Sequence, residues 1–108
     1  VDLANLTYEI TDRFPKKEMF SLAQQLNRSA VSVPSNIAEG SARNSKNEFL
    51  QFISIAKGSL AELETQLIIA NRRKFILEKD FTEIMKLSDD IDKMLFGLQQ
   101  KLKQAKAA

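Results

Sequence analysis

The side chains of this chain that could do chemistry are carboxylates, guanidiniums and amines, because its 108 residues include no histidine and no cysteine. Histidine is the commonest general base and metal ligand, and cysteine supplies thiolate nucleophiles and sulfur ligands. Hydrolytic triads of the usual kind, disulfides and thiolate metal sites are therefore excluded. Three possibilities remain: a carboxylate metal site, a buried polar network and a phosphate-binding cluster of cations.

The last third of the chain contains the carboxylates that are candidates for a metal site. They are Asp80, Glu83, Asp89, Asp90 and Asp92. Their spacing matches neither an EF-hand loop nor the Glu-x-x-His pairs of di-iron bundles, and a solvated helix face explains them more simply. We therefore predict no metal, no cofactor and no enzymatic activity. The competing enzymatic hypothesis, paired carboxylates acting with a bound metal, would require metal in an elemental analysis.

Positive charge is concentrated in the middle of the sequence. Residues 41–75 hold six basic and three acidic side chains, while residues 1–40 hold four and five and residues 76–108 hold six and six. The run Arg72-Arg73-Lys74 is suited to the negative end of a helix. Repeated around a ring of subunits, the same run would create a field that holds phosphates.

We therefore predict that Arg72, Arg73 and Lys74 contact nucleic acid, with Arg43 and Lys46 as secondary contacts. The lysines near the carboxyl terminus add positive charge on a frayed tail: Lys101, Lys103 and Lys106. The aromatic residues fall mostly within apolar stripes, so base stacking is not predicted.

Four amphipathic helices must position these side chains, and apolar residues at spacings of three and four predict them over residues 2–13, 18–40, 46–73 and 79–103. The firmest boundary is a capping box at Ser45 and Glu48. Short connections favour antiparallel neighbours, which predicts one all-α domain over residues 1–108, an up-down-up-down four-helix bundle. The predicted stripes are Leu3, Leu6, Ile10, Phe14; Met19, Leu22, Leu26, Ala30, Val33, Ile37; Phe49, Phe52, Ala56, Leu60, Leu63, Leu67, Ala70; and Phe81, Ile84, Leu87, Ile91, Met94, Leu98, Leu102.

Additional apolar residues flank these stripes and predict a second buried surface, for which homo-oligomerisation is the ordinary explanation. They are Leu50, Ile53, Ile55, Ile68, Ile69 and Phe96. No apolar stretch approaches the roughly 20 residues that span a bilayer, and the amino terminus lacks a secretion signal. We therefore expect no membrane association and a cytoplasmic location.

Polar and helix-breaking residues within the second and third helices have structural explanations. Pro34 should kink or break its helix, and Gly58 should allow close helix packing. The polar residues Arg28, Asn36, Glu39, Glu62 and Glu64 are predicted to form a structural hydrogen-bonding network, with the two last as partners for Arg28 or Arg43.

Several of these residues belong to two motifs that together are specific. The first is Gln25 to Arg28, then Ser32-Val33-Pro34-Ser35-Asn36-Ile37-Ala38-Glu39-Gly40 with Arg43; the second is Phe49 and Phe52, then Ala56-Lys57-Gly58-Ser59-Leu60 with Glu62-Leu63-Glu64. Tyr8, Thr11, Phe14-Pro15 and Glu18 fit the same pattern. The chain resembles the bacterial four-helix-bundle proteins encoded by intervening sequences of 23S ribosomal RNA genes. Members usually carry further residues before the point where this chain begins, so we expect a shortened first helix.

The resemblance implies a left-handed antiparallel bundle that assembles as a homopentamer. It also implies a relation to the accessory proteins of diversity-generating retroelements, whose basic pentamer surface contacts nucleic acid and a reverse transcriptase. The family has no established enzymatic activity. Our first hypothesis is therefore a non-enzymatic oligomer that binds RNA or another structured nucleic acid through a basic surface. The alternative is a protein–protein adaptor or scaffold without direct nucleic-acid binding.

Overall fold

A computed structural model describes residues 1–104 as four α-helices. They are α1 (Asp2–Thr11), α2 (Leu22–Ser41), α3 (Lys46–Arg72) and α4 (Glu78–Gln104), with a 3₁₀ turn at Lys16–Glu18 between the first two. No strand occurs in this part of the chain. The predicted all-α class is confirmed. The predicted tail contact Lys106 lies outside the described residues.

The four helices pack side by side around one core. Each contacts the helices before and after it in the chain, and α1 also contacts α4. The most extensive packing joins α2 and α3, which are connected by residues 42–45 alone. Connections this short make consecutive helices antiparallel. The molecule is a rod of 53 × 23 × 18 Å. At 1.5 Å per residue, the 27 residues of α3 span about 40 Å, whereas the 10 residues of α1 span only about 15 Å.

Local capping explains the limits of α3. At its start the Glu48 N–H donates to Ser45 Oγ at 3.1 Å, and the Ser45 hydroxyl lies 3.2 Å from Glu48 Oε1. The predicted boundary is confirmed. At its end Lys74 adopts a left-handed conformation, φ 63°, and the Phe75 N–H donates to the Ala70 carbonyl at 3.0 Å. This bond and that of the Lys74 N–H to Asn71 form a Schellman motif, which turns the chain into α4.

The predicted start of the second helix was wrong by about one turn. The chain forms the 3₁₀ turn and then passes through Ser21, whose φ of −125° and ψ of −100° are not helical, so α2 begins at Leu22. Tertiary packing explains the difference. Phe14 is buried and its ring centroid lies 5.5 Å from that of Phe75, which fixes the connection against the α3–α4 turn.

The apolar core follows the predicted stripes, with exceptions on each of the last three helices. Met19 precedes α2 and is 41% exposed, and Ile53 is a fully buried core residue rather than a flank. On α4, Met94 is 72% exposed and Leu95 is buried instead. A straight α-helix drifts away from a seven-residue repeat, so positions separated by 11 residues, such as Ile84 and Leu95, lie on one line.

Pro34 does not break its helix, because α2 continues from Leu22 to Ser41; a kink there stays a prediction. The close approach predicted at Gly58 is wrong within this chain, since a Cβ there would meet nothing within 4 Å. Gly40 has that role instead: a Cβ would lie 2.6 Å from Phe52 Cβ. The two helices therefore approach each other closely beside the short connection between them.

Candidate nucleic-acid interface

One end of the rod collects cations from two distant parts of the sequence. The α1–α2 connection and the α3–α4 connection meet there, because consecutive helices are antiparallel. The end contains seven basic side chains against four acidic ones, Asp12, Glu18, Glu78 and Asp80. The basic residues, here called the basic end, are Arg13, Lys16, Lys17, Arg72, Arg73, Lys74 and Lys79.

Specific contacts hold the two connections together. Arg13 Nη1 lies 3.0 Å from Asp80 Oδ2, and the Asp80 side chain is 9% exposed, so this ion pair is partly buried. Beside it, Phe14 and Phe75 pack with their rings tilted by 52°. The Arg73 guanidinium lies 5.9 Å from the centre of the Phe75 ring. The two connections are thus joined by an ion pair and an aromatic pair, while the cation–π contact lies within the α3–α4 connection.

Most cations of the basic end are available to a ligand. Five of them are exposed and form no ion pair within residues 1–104: Lys16, Lys17, Arg72, Lys74 and Lys79. The net charge of the end is +3, whereas the whole chain has a formal charge of +2. The rest of the molecule is therefore slightly acidic, and the positive field is concentrated at this end.

The two secondary contacts predicted from the sequence lie at the opposite end of the rod. Arg43 and Lys46 stand at the start of α3 and Arg72 at its end, which separates them by about 39 Å at 1.5 Å per residue. Arg43 is also occupied: it pairs with Glu39 at 2.7 Å and Glu48 at 3.7 Å. The structure does not bring this pair together with the basic end.

Sequence reasoning missed four cations of the basic end, Arg13, Lys16, Lys17 and Lys79. The signal was present in the predicted topology, because an up-down-up-down bundle places its first and third connections at the same end. Sequence reasoning also missed Phe20, which is 91% exposed two residues after the 3₁₀ turn. The expectation that aromatic rings lie mostly in the core does not hold for this residue.

The comparisons with known proteins agree with this fold. The family model described as 23S rRNA-intervening sequence protein matches residues 1–97. The chain belongs to that family.

A solved structure shares the fold of this family member. It is a protein with unknown function from the S23 ribosomal protein family of Bacteroides thetaiotaomicron VPI-5482, and it is 23% identical with a TM-score of 0.74. The match covers 90% of this chain and 97% of the other. No curated protein matches the chain. At this identity the likeness shows the fold alone.

The family motifs of α2 and α3 face each other across the bundle. Ser32 Oγ lies 2.8 Å from Ser59 Oγ on α3, and Asn36 Nδ2 donates to both the carbonyl and the hydroxyl of Ser32, at 2.8 and 2.9 Å. Ser29 adds a second bond between the helices, to Gln66 Oε1 at 3.0 Å. The two motifs therefore supply the contact of Ser32 with Ser59, and the bond from Ser29 to Gln66 lies next to them.

The five predicted network residues are not one network. Asn36 belongs to the α2–α3 contact just described, while Glu39 is exposed and binds Arg43. Glu64 accepts a hydrogen bond from Ser88 of α4 at 3.1 Å, on a different face of α3. The other two, Arg28 and Glu62, line a polar groove between α2 and α3 and form no hydrogen bond or ion pair within the described residues. The predicted pairing of Glu62 or Glu64 with Arg28 or Arg43 is wrong.

Three carboxylates of α4 are paired with lysines along the helix surface. Lys86 Nζ lies 3.6 Å from Asp90, Lys93 Nζ lies 3.0 Å from Asp89, and Lys57 of α3 reaches Asp92 at 3.6 Å. The hydrogen bond from Lys93 to Asp89 raises the pKa of Lys93. Within residues 1–104 there is no group of three aspartate or glutamate side chains that could hold a metal ion. In the same part of the chain, no helix is long and apolar enough to cross a membrane.

Proposed function

We propose that this chain is a non-enzymatic, oligomeric four-helix bundle that binds RNA or DNA through backbone phosphates at its basic end. The observation that supports the proposal is the meeting of two cationic connections, residues 13–17 and 72–79, at one end of the rod. Contacts to phosphates position a protein on nucleic acid without reading its sequence. We therefore expect strong salt dependence and little sequence preference.

Assembly into the homopentamer that the family resemblance implies is part of the same proposal. A ring would repeat the basic end and multiply its field. Exposed apolar side chains on α3 support self-association, since Ile55 and Ile69 are 51% and 47% exposed. Ile55, Glu62 and Ile69 follow one another at intervals of seven residues and form the exposed line of α3. The protein partner that this proposal names is a reverse transcriptase, because the family resemblance implies a relation to retroelement accessory proteins.

The test is fluorescence anisotropy of labelled RNA hairpins and duplex DNA titrated with nuclease-treated protein at several salt concentrations. The wild type should bind with a steep negative salt slope. Joint substitution R72E, R73E and K74E should weaken binding by at least about tenfold and flatten the slope, because phosphate contacts release counterions.

A matched control reverses three cations elsewhere on the rod: K86E, K93E and K101E. It changes the net charge equally but leaves the basic end intact, so binding should fall far less. Equal losses in both variants would contradict a localised contact surface. No binding by the wild type at low salt would contradict nucleic-acid binding altogether.

The second candidate function is a protein–protein adaptor, which the exposed apolar residues of α4 favour. Met94 and Phe96 are 72% and 54% exposed. A defined partner that co-purifies from native cells without nucleic acid at moderate salt, and that M94E with F96E releases, would support this function instead.

A further inference from the structure

We propose that Phe20 is a stacking platform for an unpaired base, so that the nucleic acid at the basic end carries single-stranded nucleotides. The inference rests on the proposed function and names its ligand class more closely. Phe20 differs from the other phenylalanines of the chain. Its exposure of 91% compares with 54% for Phe96, and the remaining five are buried or half-buried: Phe14, Phe49, Phe52, Phe75 and Phe81.

The backbone that carries Phe20 is held by hydrogen bonds. The Met19 N–H donates to the Lys16 carbonyl and the Ser21 N–H to the Glu18 carbonyl, each at 3.2 Å. Ser21 Oγ also donates to Glu18 Oε1 at 3.2 Å. A hydrogen-bonded turn therefore holds the Phe20 ring in solvent. Burying so large an apolar group against a ligand would be favourable in free energy.

Cations lie close to Phe20 in the sequence and in the groove beside its turn. Lys16 and Lys17 precede it in the 3₁₀ turn, and two residues close to it in the sequence, Glu18 and Ser21, line a groove with Arg73 and Ile69. An exposed aromatic ring among lysines and arginines is the combination that binds single strands, since the cations hold the backbone and the ring stacks on a base.

A single-stranded ligand fits this surface better than a duplex or a lipid bilayer. Bases in a duplex already stack on their neighbours, whereas an unpaired base has a free face for the ring. A bilayer would need a continuous apolar surface, but Met19 and Phe20 directly follow three charged residues, Lys16, Lys17 and Glu18.

The experiment uses the full chain carrying F20W. The introduced tryptophan is the sole one in the variant, because the sequence has none. Tryptophan emission is followed while a single-stranded oligonucleotide, or the duplex of the same sequence, is added. The control F96W places tryptophan at an exposed position on α4, where Lys57 Nζ lies 5.5 Å from the ring. We expect quenching of F20W by the single strand only, and no quenching of F96W.

A second measurement compares F20A with wild type by anisotropy. Loss of the ring should weaken single-strand binding by roughly tenfold, the scale of one base–aromatic stack, and leave duplex binding within about twofold. Unchanged single-strand affinity would overturn the stacking inference while leaving phosphate binding intact. Absence of all binding by wild type would overturn the proposed function and this inference with it.

Two further outcomes would assign Phe20 to another partner and overturn the inference. A blue shift of F20W emission with phosphatidylserine vesicles, without quenching by single strands, would assign the ring to a membrane surface. A smaller assembly for F20A than for wild type in light scattering would assign it to a contact between copies of the chain.

Discussion

Lys74 combines a cationic side chain with a backbone conformation that favours glycine. Its φ of 63° forms the Schellman turn at the end of α3, a position that glycine occupies in many helices because it has no Cβ. The left-handed conformation costs other residues roughly 1 to 2 kcal/mol. A charge at the basic end is thus maintained at some cost in stability.

We predict that K74G raises the free energy of unfolding by about 1 kcal/mol, because it removes the Cβ penalty at this turn. The control K74A removes the same charge but keeps the Cβ, so its stability should stay close to that of the wild type. Urea unfolding followed by circular dichroism measures both. Equal stability of the two variants would contradict a strained turn. Both variants should lose nucleic-acid affinity equally, because both remove the same charge and the backbone change does not affect binding.

At the scale of the helices, hydrogen-bonded polar side chains connect each pair of consecutive helices. Thr11 of α1 donates to Asn27 Oδ1 of α2 at 2.9 Å, and the bonds from Ser32 to Ser59 and from Ser88 to Glu64 connect the following pairs. Apolar stripes alone allow helices to slide by a turn, whereas a partly buried hydrogen bond between two helices forms in one register only. These contacts therefore align the two connections that form the basic end.

Two glycines of the bundle should respond in opposite ways to alanine. G40A places a Cβ 2.6 Å from Phe52 Cβ, next to the α3 backbone, so the helices must separate and we expect a loss of about 1 to 3 kcal/mol. G58A meets open space in mid-helix and should gain up to about 1 kcal/mol. Thermal unfolding should show the two midpoints moving apart, and a destabilised G58A would contradict its open surroundings.

At the scale of the whole molecule, the exposed line of α3 is the surface that self-association would cover. If the oligomer forms through it, I55E with I69E should give monomers with unchanged helical content, because two charges would be buried against a second copy. Light scattering and circular dichroism measure the two properties. The control L77E with F96E alters exposed apolar residues elsewhere and should leave the assembly unchanged, so equal dissociation in both would contradict this surface.

The sequence was sufficient to predict the four helices, because periodicity and the Ser45 cap are local signals. It was insufficient at the start of α2, where the packing of Phe14 on Phe75 decides how the connection folds. The run from Arg72 to Lys74 was visible as neighbouring letters. Lys16, Lys17 and Lys79 join that run only once the chain has reversed direction, and the exposure of Phe20 depends on where α2 begins.

The uneven distribution of charge also affects how the rod behaves on a charged support. The basic end has a net charge of +3, while α4 between Glu83 and Lys93 carries four carboxylates and two lysines. A cation-exchange matrix would therefore hold the molecule by one tip, with its long axis standing away from the surface. Retention would then exceed what a uniformly charged protein of the same isoelectric point shows, because the matrix meets the tip and not the average.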